Sequence, residues 1–276
     1  MSAVVNGYTT LAAVKGLLEV TSTDTVDDGV INDLITQISR YVDDKTSRKF
    51  YPRVETRSFD VPDGRELWVD DDLLEISSVT NGDGDAIAST EYNLQPPNNY
   101  PKYAIRIKSI SSEFWETDDD GDAEQVIDVA AWWGFHQNYS QRAWALGSLV
   151  NEAPLDIDDL TWTVDSGTLF SAGQIIKVDS EIMIITAVVT NDLTVIKRGD
   201  NGSTAATHVH DSSVYIWQPE PDIVLACQMI VKNLYHNRFG QNSTGAATIT
   251  GAGVVLAPED VPASALMILK NYTRIC

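Results

Sequence analysis

The hydrophobic pattern of this chain changes from helical to alternating near Phe50 and returns to helical after Pro219, which bounds the folds open to it. At the start, Thr9 or Thr10 can cap a helix carrying Leu11, Val14, Leu17 and Leu18 at helical spacing, ending near Val20. Asp24 or Thr25 opens a second, longer helix whose face is Ile31, Leu34, Ile35, Ile38, Tyr41 and Val42; Arg48 and Lys49 suit the negative end of its dipole. Beyond Pro219 and Pro221, Ile223, Leu225, Ala226, Met229, Ile230 and Leu234 predict a helix to about Arg238. A last helix is expected from Pro262 or Ala263 to Ile275, with Leu266, Ile268, Leu269 and Tyr272. Each end has an apolar stripe and nothing local to cover it.

Between these ends the period is two. Val54–Val61 alternates, Pro62-Asp63-Gly64 turns it, and Glu66–Val69 returns. Further strands are expected at 76–80, 92–95, 104–107 and 125–133, separated by Gly-, Pro- and Asp-rich turns. Tyr139–Val150 reads as a short helix. A second β module follows, with strands at 160–164, 175–178, 182–189, 193–196 and 213–217, short enough to suggest a small barrel or roll. The expected class is therefore α+β: a four-helix bundle built from both chain ends, residues 1–50 and 219–276, with antiparallel β insertions at 51–150 and 151–218.

Charge separates these parts. The formal net charge of −21 argues against binding nucleic acid by neutralising phosphates. Residues 51–140 carry 19 acidic and 6 basic side chains, and 141–218 carry 10 and 4, whereas 219–276 carry 4 of each. Near-neutral ends flank an acidic middle. The 2 cysteines, Cys227 and Cys276, make no disulfide framework, no apolar run would span a bilayer, and Met1–Tyr8 lacks the pattern of a secretory signal. A reduced protein made in the cytosol, without a membrane partner, is the expectation.

Candidate chemistry is thin. Asp118-Asp119-Asp120-Gly121-Asp122 resembles the start of a calcium loop, but Ala123 stands where the sharp turn wants Gly and Val129 where a bidentate Glu is needed. Asn81–Asp85 fails in the same way, with Tyr92 at its last position, and Asp70-Asp71-Asp72 reads as a solvated turn. His208 and His210 could offer two donors to a metal, but no motif adds a third, so exposed loop histidines are expected. His136 and His236 are assigned packing roles, and Arg198-Gly199-Asp200 an ordinary turn. There is no Gly-x-Ser-x-Gly, His-Glu-x-x-His or Gly-x-x-x-x-Gly-Lys motif, so no catalytic residue and no cofactor is assigned. Trp132, Trp133, Phe135 and Tyr139 could stack on sugars; alternation instead buries one tryptophan and turns its neighbour outward.

Ile31–Asp60, with Thr46-x-Arg48-x-Phe50, Tyr51 and then Thr56–Asp60, resembles the head–tail connector (adaptor) proteins of tailed bacteriophages. Asp70-Asp71-Asp72-Leu73-Leu74 and Thr80–Gly84, followed by Tyr92 and Leu94, are similar to the versions with a β insert. The likeness covers roughly residues 9–140 and, more loosely, the helices after 219. Phe170–Gly173, Ile176–Glu181, Leu193–Val195, Arg198-Gly199, Gly202–Ala206 and His208 resemble a second module of phage virion proteins.

The resemblance implies a virion protein of the head–tail junction. It would be a homo-oligomeric, dodecameric ring beneath the portal protein that extends the DNA channel and gives the tail, or a tail-terminator or nozzle protein, its platform. Double-stranded DNA would pass without specific binding, and acidic walls would repel its phosphates; Asp70, Asp71, Asp72, Asp118, Asp119 and Asp120 are the channel candidates. Gly240–Ala257 is rich in small polar residues, with one apolar cluster, and suggests a latch onto the portal or a neighbouring subunit through Ile249, Val254, Val255 and Leu256. An exposed interhelical loop is the alternative there. The competing functions are a carbohydrate- or receptor-binding tail accessory, and an enzyme for which no residues can be named.

Overall fold

The computed structural model describes residues 3–238, 248–249, 255–256 and 261–274. The protein is α+β, and its chain divides into two compact units. One comprises Met1–Ser47, Ala145–Asp200 and Thr204–Cys276; the other comprises Arg48–Trp144 with Asn201–Ser203.

In the first unit, α1 (Leu11–Leu17) starts at Thr10, whose hydroxyl accepts from Ala13 N. Helix α2 (Asp28–Thr46) buries Ile31, Leu34, Ile35, Ile38 and Val42 of the predicted stripe, leaves Tyr41 half-buried, and ends on Ser47 in a left-handed conformation (φ 53°). It packs against α4 (Pro221–Arg238) and α5 (Ala263–Tyr272), which also pack on each other, while α1 touches α2 and α4. The two chain ends thus meet although some 170 residues separate them in sequence. Polar ties reinforce the apolar contacts: Tyr235 Oη donates to Asp27 Oδ2 at 2.6 Å, and Tyr272 Oη to Asp222 Oδ2 at 3.0 Å. Lys15 is buried and pairs with Asp28 at 2.7 Å, a contact that periodicity does not reveal.

The same unit holds a six-stranded sheet in the order β6-β11-β8-β9-β10-β7. Its strands are β6 (Trp144–Leu149), β7 (Thr161–Thr163), β8 (Ile175–Val178), β9 (Glu181–Val189), β10 (Asp192–Val195) and β11 (Ser213–Trp217). Val150 bridges Val164, and Asn151 N donates to Thr163 O at 2.8 Å, so the two edges meet and the sheet closes on itself. The core is Leu155, Trp162, Ile176, Met183, Ile185, Leu193 and Val214, among others. The predicted helix at 139–150 is corrected here. Only Tyr139–Arg142 is helical (α3), and β6 follows. Gly147 explains the choice, because a Cβ there would sit 2.6 Å from the Phe170 ring: a close packing that only an uncrowded backbone permits.

The second unit is built on a five-stranded antiparallel sheet, β1-β5-β2-β4-β3, of β1 (Arg53–Phe59), β2 (Glu66–Thr80), β3 (Tyr92–Gln95), β4 (Lys102–Ile107) and β5 (Ile127–Trp133). The sequence suggests that β1 turns back onto β2; instead β5 lies between them, pairing Arg53 with Trp133 and Phe59 with Ile127. The reason is burial. Ile127, Val129, Ala131 and Trp133 are fully buried and take the centre, whereas β1 with Glu55 and Arg57 can occupy an edge. Both Trp132 and Trp133 are buried, contrary to strict alternation; Trp132 meets the Trp144 ring edge-on at 6.2 Å.

Gly134 closes β5 at φ +143°, and a Cβ there would lie 2.5 Å from Tyr51 O. Gly134→Ala is expected to lower stability by at least about 1–3 kcal/mol through backbone strain. A denaturation midpoint equal to that of the parent would refute the strain.

Candidate functional site

Asp70-Asp71-Asp72 does not form a solvated turn. These residues sit inside β2, in a bulge where 69–72 oppose the single Tyr103 between the registered pairs Trp68–Ala104 and Leu73–Lys102. The bulge turns carboxylates towards arginines of β1 and the segment before it. Arg48 Nη1 donates to Asp72 Oδ1 at 2.5 Å, Arg53 Nη2 to Asp71 Oδ2 at 2.7 Å, and Arg57 to Asp70 at 2.8 Å and Asp71 at 2.9 Å. Glu55 bridges Arg53 and Arg57. Burial works against the charge on Asp71, but Arg53, the Asp72 N–H and Arg57 outweigh it and hold its carboxyl below the usual range. That contribution to stability is present above the ordinary carboxylate range and fades as pH falls through the lowered folded value.

The connector-like motif is divided between the two units. In the first, the Thr46 hydroxyl turns back to Val42 O at 2.8 Å, and Thr46 O accepts from Arg274 N at 2.8 Å. In the second, Arg48 also lies 4.4 Å over the Phe135 ring, and Phe50, fully buried, meets that ring edge-on at 5.3 Å.

The acidic turns are ordinary. Asp118 Oδ1 accepts from Asp120 N and Asp122 N, and Asp83 Oδ1 accepts from Asp85 N. Asp119 and Asp120 are exposed and Asp118 half-buried, and no cation among the described residues pairs with them. No group of three or more His, Cys, Asp or Glu side chains among the described residues is arranged to hold a metal.

The expectation of exposed loop histidines is half wrong. His210 is exposed, but His208 is buried inside a charged network in the closed sheet. Glu181 stands at its centre with no exposure at all. Arg198 donates to both its oxygens at 2.8 Å, Gly199 N to Oε1 at 2.8 Å, Ala206 N to Oε2 at 3.1 Å, and the His208 ring Nε2 lies 2.8 Å from Oε2. Arg198 further donates to the carbonyls of Asp156 and Ala206. Burial alone would push the Glu181 carboxyl up; His208, Arg198 and the two N–H groups prevail and hold it down at about 2. Arg198-Gly199-Asp200 is thus no plain turn. The pattern Asp179-x-Glu181, Arg198-Gly199 and His208 was visible in sequence, but nothing local said that these side chains converge.

Two further features could contact a partner. Trp68 and Tyr103, 63% and 43% exposed, stack at 5.3 Å with ring planes 8° apart. In the other unit a cavity of about 170 Å³ is lined by Tyr8, Thr9, Gln174, Trp217 and Gln228 among others, with no carboxylate, imidazole, thiol or amine in its lining. Cys227 is buried beside Ser39, and burial pushes its thiol up to about 12, so it is no nucleophile. His136 is buried and accepts from Asn138 N, whereas His236 is exposed beside the Tyr235 ring. Of the latch residues, Ile249 and Val255 face each other in a short antiparallel ladder with Thr248 and Leu256; their side chains, and Val254 as a whole, lie outside the described residues.

No protein-family model matches the sequence, and no curated protein does. Among solved structures, a chain of the "Neck of empty GTA particle computed with C6 symmetry" is similar over 100% of this chain and 94% of that one, at 9% identity and a TM-score of 0.42. At that level the likeness carries no argument about function. Among the described residues, no helix is long and apolar enough to cross a membrane.

Proposed function

We propose that this chain is a structural, non-enzymatic head-to-tail connector of a tailed-phage virion. It forms a homo-oligomeric, dodecameric ring under the portal protein, extends the DNA channel, and gives the tail or a nozzle protein its docking platform. The division proposed with it is a four-helix bundle core, 1–50 and 219–276, with β insertions at 51–150 and 151–218. One observation carries the assignment. Two separate pieces of the connector-like pattern, Thr46-x-Arg48-x-Phe50 and Asp70-Asp71-Asp72, meet as the Arg48–Asp72 ion pair at 2.5 Å. That two pieces far apart in sequence meet as one ion pair supports reading them as parts of one pattern.

The acidic middle of the chain supports a channel role, since like charge keeps a passing duplex from being trapped. Arginines already balance Asp70, Asp71 and Asp72, so Asp118, Asp119 and Asp120 are the candidates whose charge would act on DNA. Electron microscopy of the purified protein, alone and with portal, tests the assignment. Stacked rings are expected; a protein that stays monomeric at micromolar concentration with portal present would overturn it.

The latch is part of the same proposal. Amide protection of residues 247–256 is expected only in the assembled ring, with Ile249, Val254, Val255 and Leu256 buried there. Equal exchange in free and assembled protein would remove it.

The Trp68–Tyr103 stack favours a second reading, a carbohydrate-binding virion accessory, because exposed aromatic faces suit sugar rings. Retention on a glycan column that is lost in Trp68→Ala would support it over the ring.

A further inference from the structure

We propose that His208 is held as an imidazolium and acts as a proton-dependent clasp on the loop 199–207, closed at neutral and acidic pH and released at alkaline pH. The geometry requires the charge. Ring Nδ1 lies 2.8 Å from Asp179 Oδ2, and ring Nε2 lies 2.8 Å from Glu181 Oε2. Neutral imidazole has one N–H, so one ring lone pair would face a carboxylate oxygen across a hydrogen-bond distance; only the imidazolium donates to both.

The groups around the ring define the balance. Asp179 comes from the turn between β8 and β9, and Glu181 from the start of β9. Arg198, beyond β10, shares Glu181 with the ring. The segment after Leu155 supplies the carbonyls of Asp156 and Asp159 to Arg198, and Leu155 exchanges backbone hydrogen bonds with His208. On the solvent side His210 pairs with Asp211 at 3.1 Å. With His208 protonated, two cations meet two carboxylates. Loss of the proton leaves Arg198 and Glu181 paired, Asp179 without its cation at 70% exposure, and a ring lone pair facing a carboxylate oxygen at hydrogen-bond distance.

Both ends of the loop depend on that carboxylate. Gly199 N binds Oε1, while Ala206 N binds Oε2 beside the ring. Deprotonation removes one of the ring's two donations, to Asp179 or to Oε2 of Glu181; either loss weakens the hold on the 206–208 end and its bridge to Leu155. The bidentate Arg198 stays, so the opening is local and the sheet persists.

The sign follows from the directions. Burial lowers the His208 value, but Glu181 and Asp179 outweigh it, and the folded value is raised above 6.5. The clasp contributes fully below the unfolded value and is lost as pH rises through the folded one. Glu181, held at about 2, keeps it closed on the acid side.

The test is a long-range ¹H–¹⁵N titration of the protein's four histidines, with amide exchange of 199–207 corrected for intrinsic base catalysis. Both His208 nitrogens should carry protons at pH 7, with a midpoint above 6.5. Loop protection should fall by up to about tenfold for each unit of pH between the unfolded value and that midpoint and level off above it, while β8 and β9 stay protected. Asp179→Asn, whose side chain is mostly exposed, should lower the midpoint without unfolding the sheet; His208→Gln should abolish the alkaline step. A single protonated ring nitrogen at pH 7, a midpoint no higher than 6.5, or loop protection indifferent to the titration would each overturn the clasp. Should His208→Gln fail to fold, the parent titration and Asp179→Asn still decide.

Discussion

Glu181→Ala is expected to cost about 3–5 kcal/mol and to unfold the closed sheet before the rest of the chain, because it strands two buried cations. Arg198 is 9% exposed and His208 2%, and the same carboxylate also receives the N–H groups of Gly199 and Ala206. Removing it leaves those donors unpaired as well. The contrast with a full replacement makes the point sharper. Glu181→Met, Arg198→Met and His208→Phe together should cost much less than the single change, since no charge is then left buried without a partner. Chemical denaturation of the three proteins at pH 6.5 would read both effects. Equal midpoints for the parent and the single variant would show that the network does not hold the sheet. The pH profile of the parent has a stated sign too. With Glu181 at about 2, the carboxylate's share of stability is present above 4.5 and is lost only as pH falls through the folded value.

Ile35→Asp should abolish the folding of the first unit's helices. Ile35 is fully buried on α2, and its Cγ2 lies 3.0 Å from the place a Cβ on Gly7 would occupy, so no water can reach a carboxylate there. The expected loss is more than about 4 kcal/mol, at the severe end for single substitutions. Leu34→Asp and Ile38→Asp, at 8% and 7% exposure, should also destabilise but retain some solvent access for the charge. Ile35→Val serves as the control at about 0.5–1.5 kcal/mol. Far-UV circular dichroism on heating would follow all four. An Ile35→Asp protein that melts with the parent would mean that α2, α4 and α5 do not share a core.

The helices were readable from sequence because an amphipathic stripe is a local property. Ile31, Leu34, Ile35, Ile38 and Val42 are all buried, and α4 ends at Arg238 as the spacing predicts. Five of the six strands of the closed sheet were readable for the same reason, through period-two runs bounded by turn residues. The α+β class follows from these local signals, as does the absence of any recognisable catalytic motif.

Tertiary structure decided whatever depends on a distant partner. A run of three aspartates looks like a turn until Arg48, Arg53 and Arg57 are brought to it from 13 to 24 residues away. Residues 144–149 became a strand and not a helix because β11 offered an open edge and Gly147 let Phe170 come close. The sheet order placed β5 between β1 and β2 on the strength of its buried face, which a hairpin rule applied to neighbouring strands does not weigh. His208 and His210 stand two residues apart in the same loop, yet one is buried among charges and the other solvated. Periodicity records which side of an element is apolar. Desolvation, which fixes whether a charge must be paired, is set by everything that packs on it, and no local stretch of sequence contains that information.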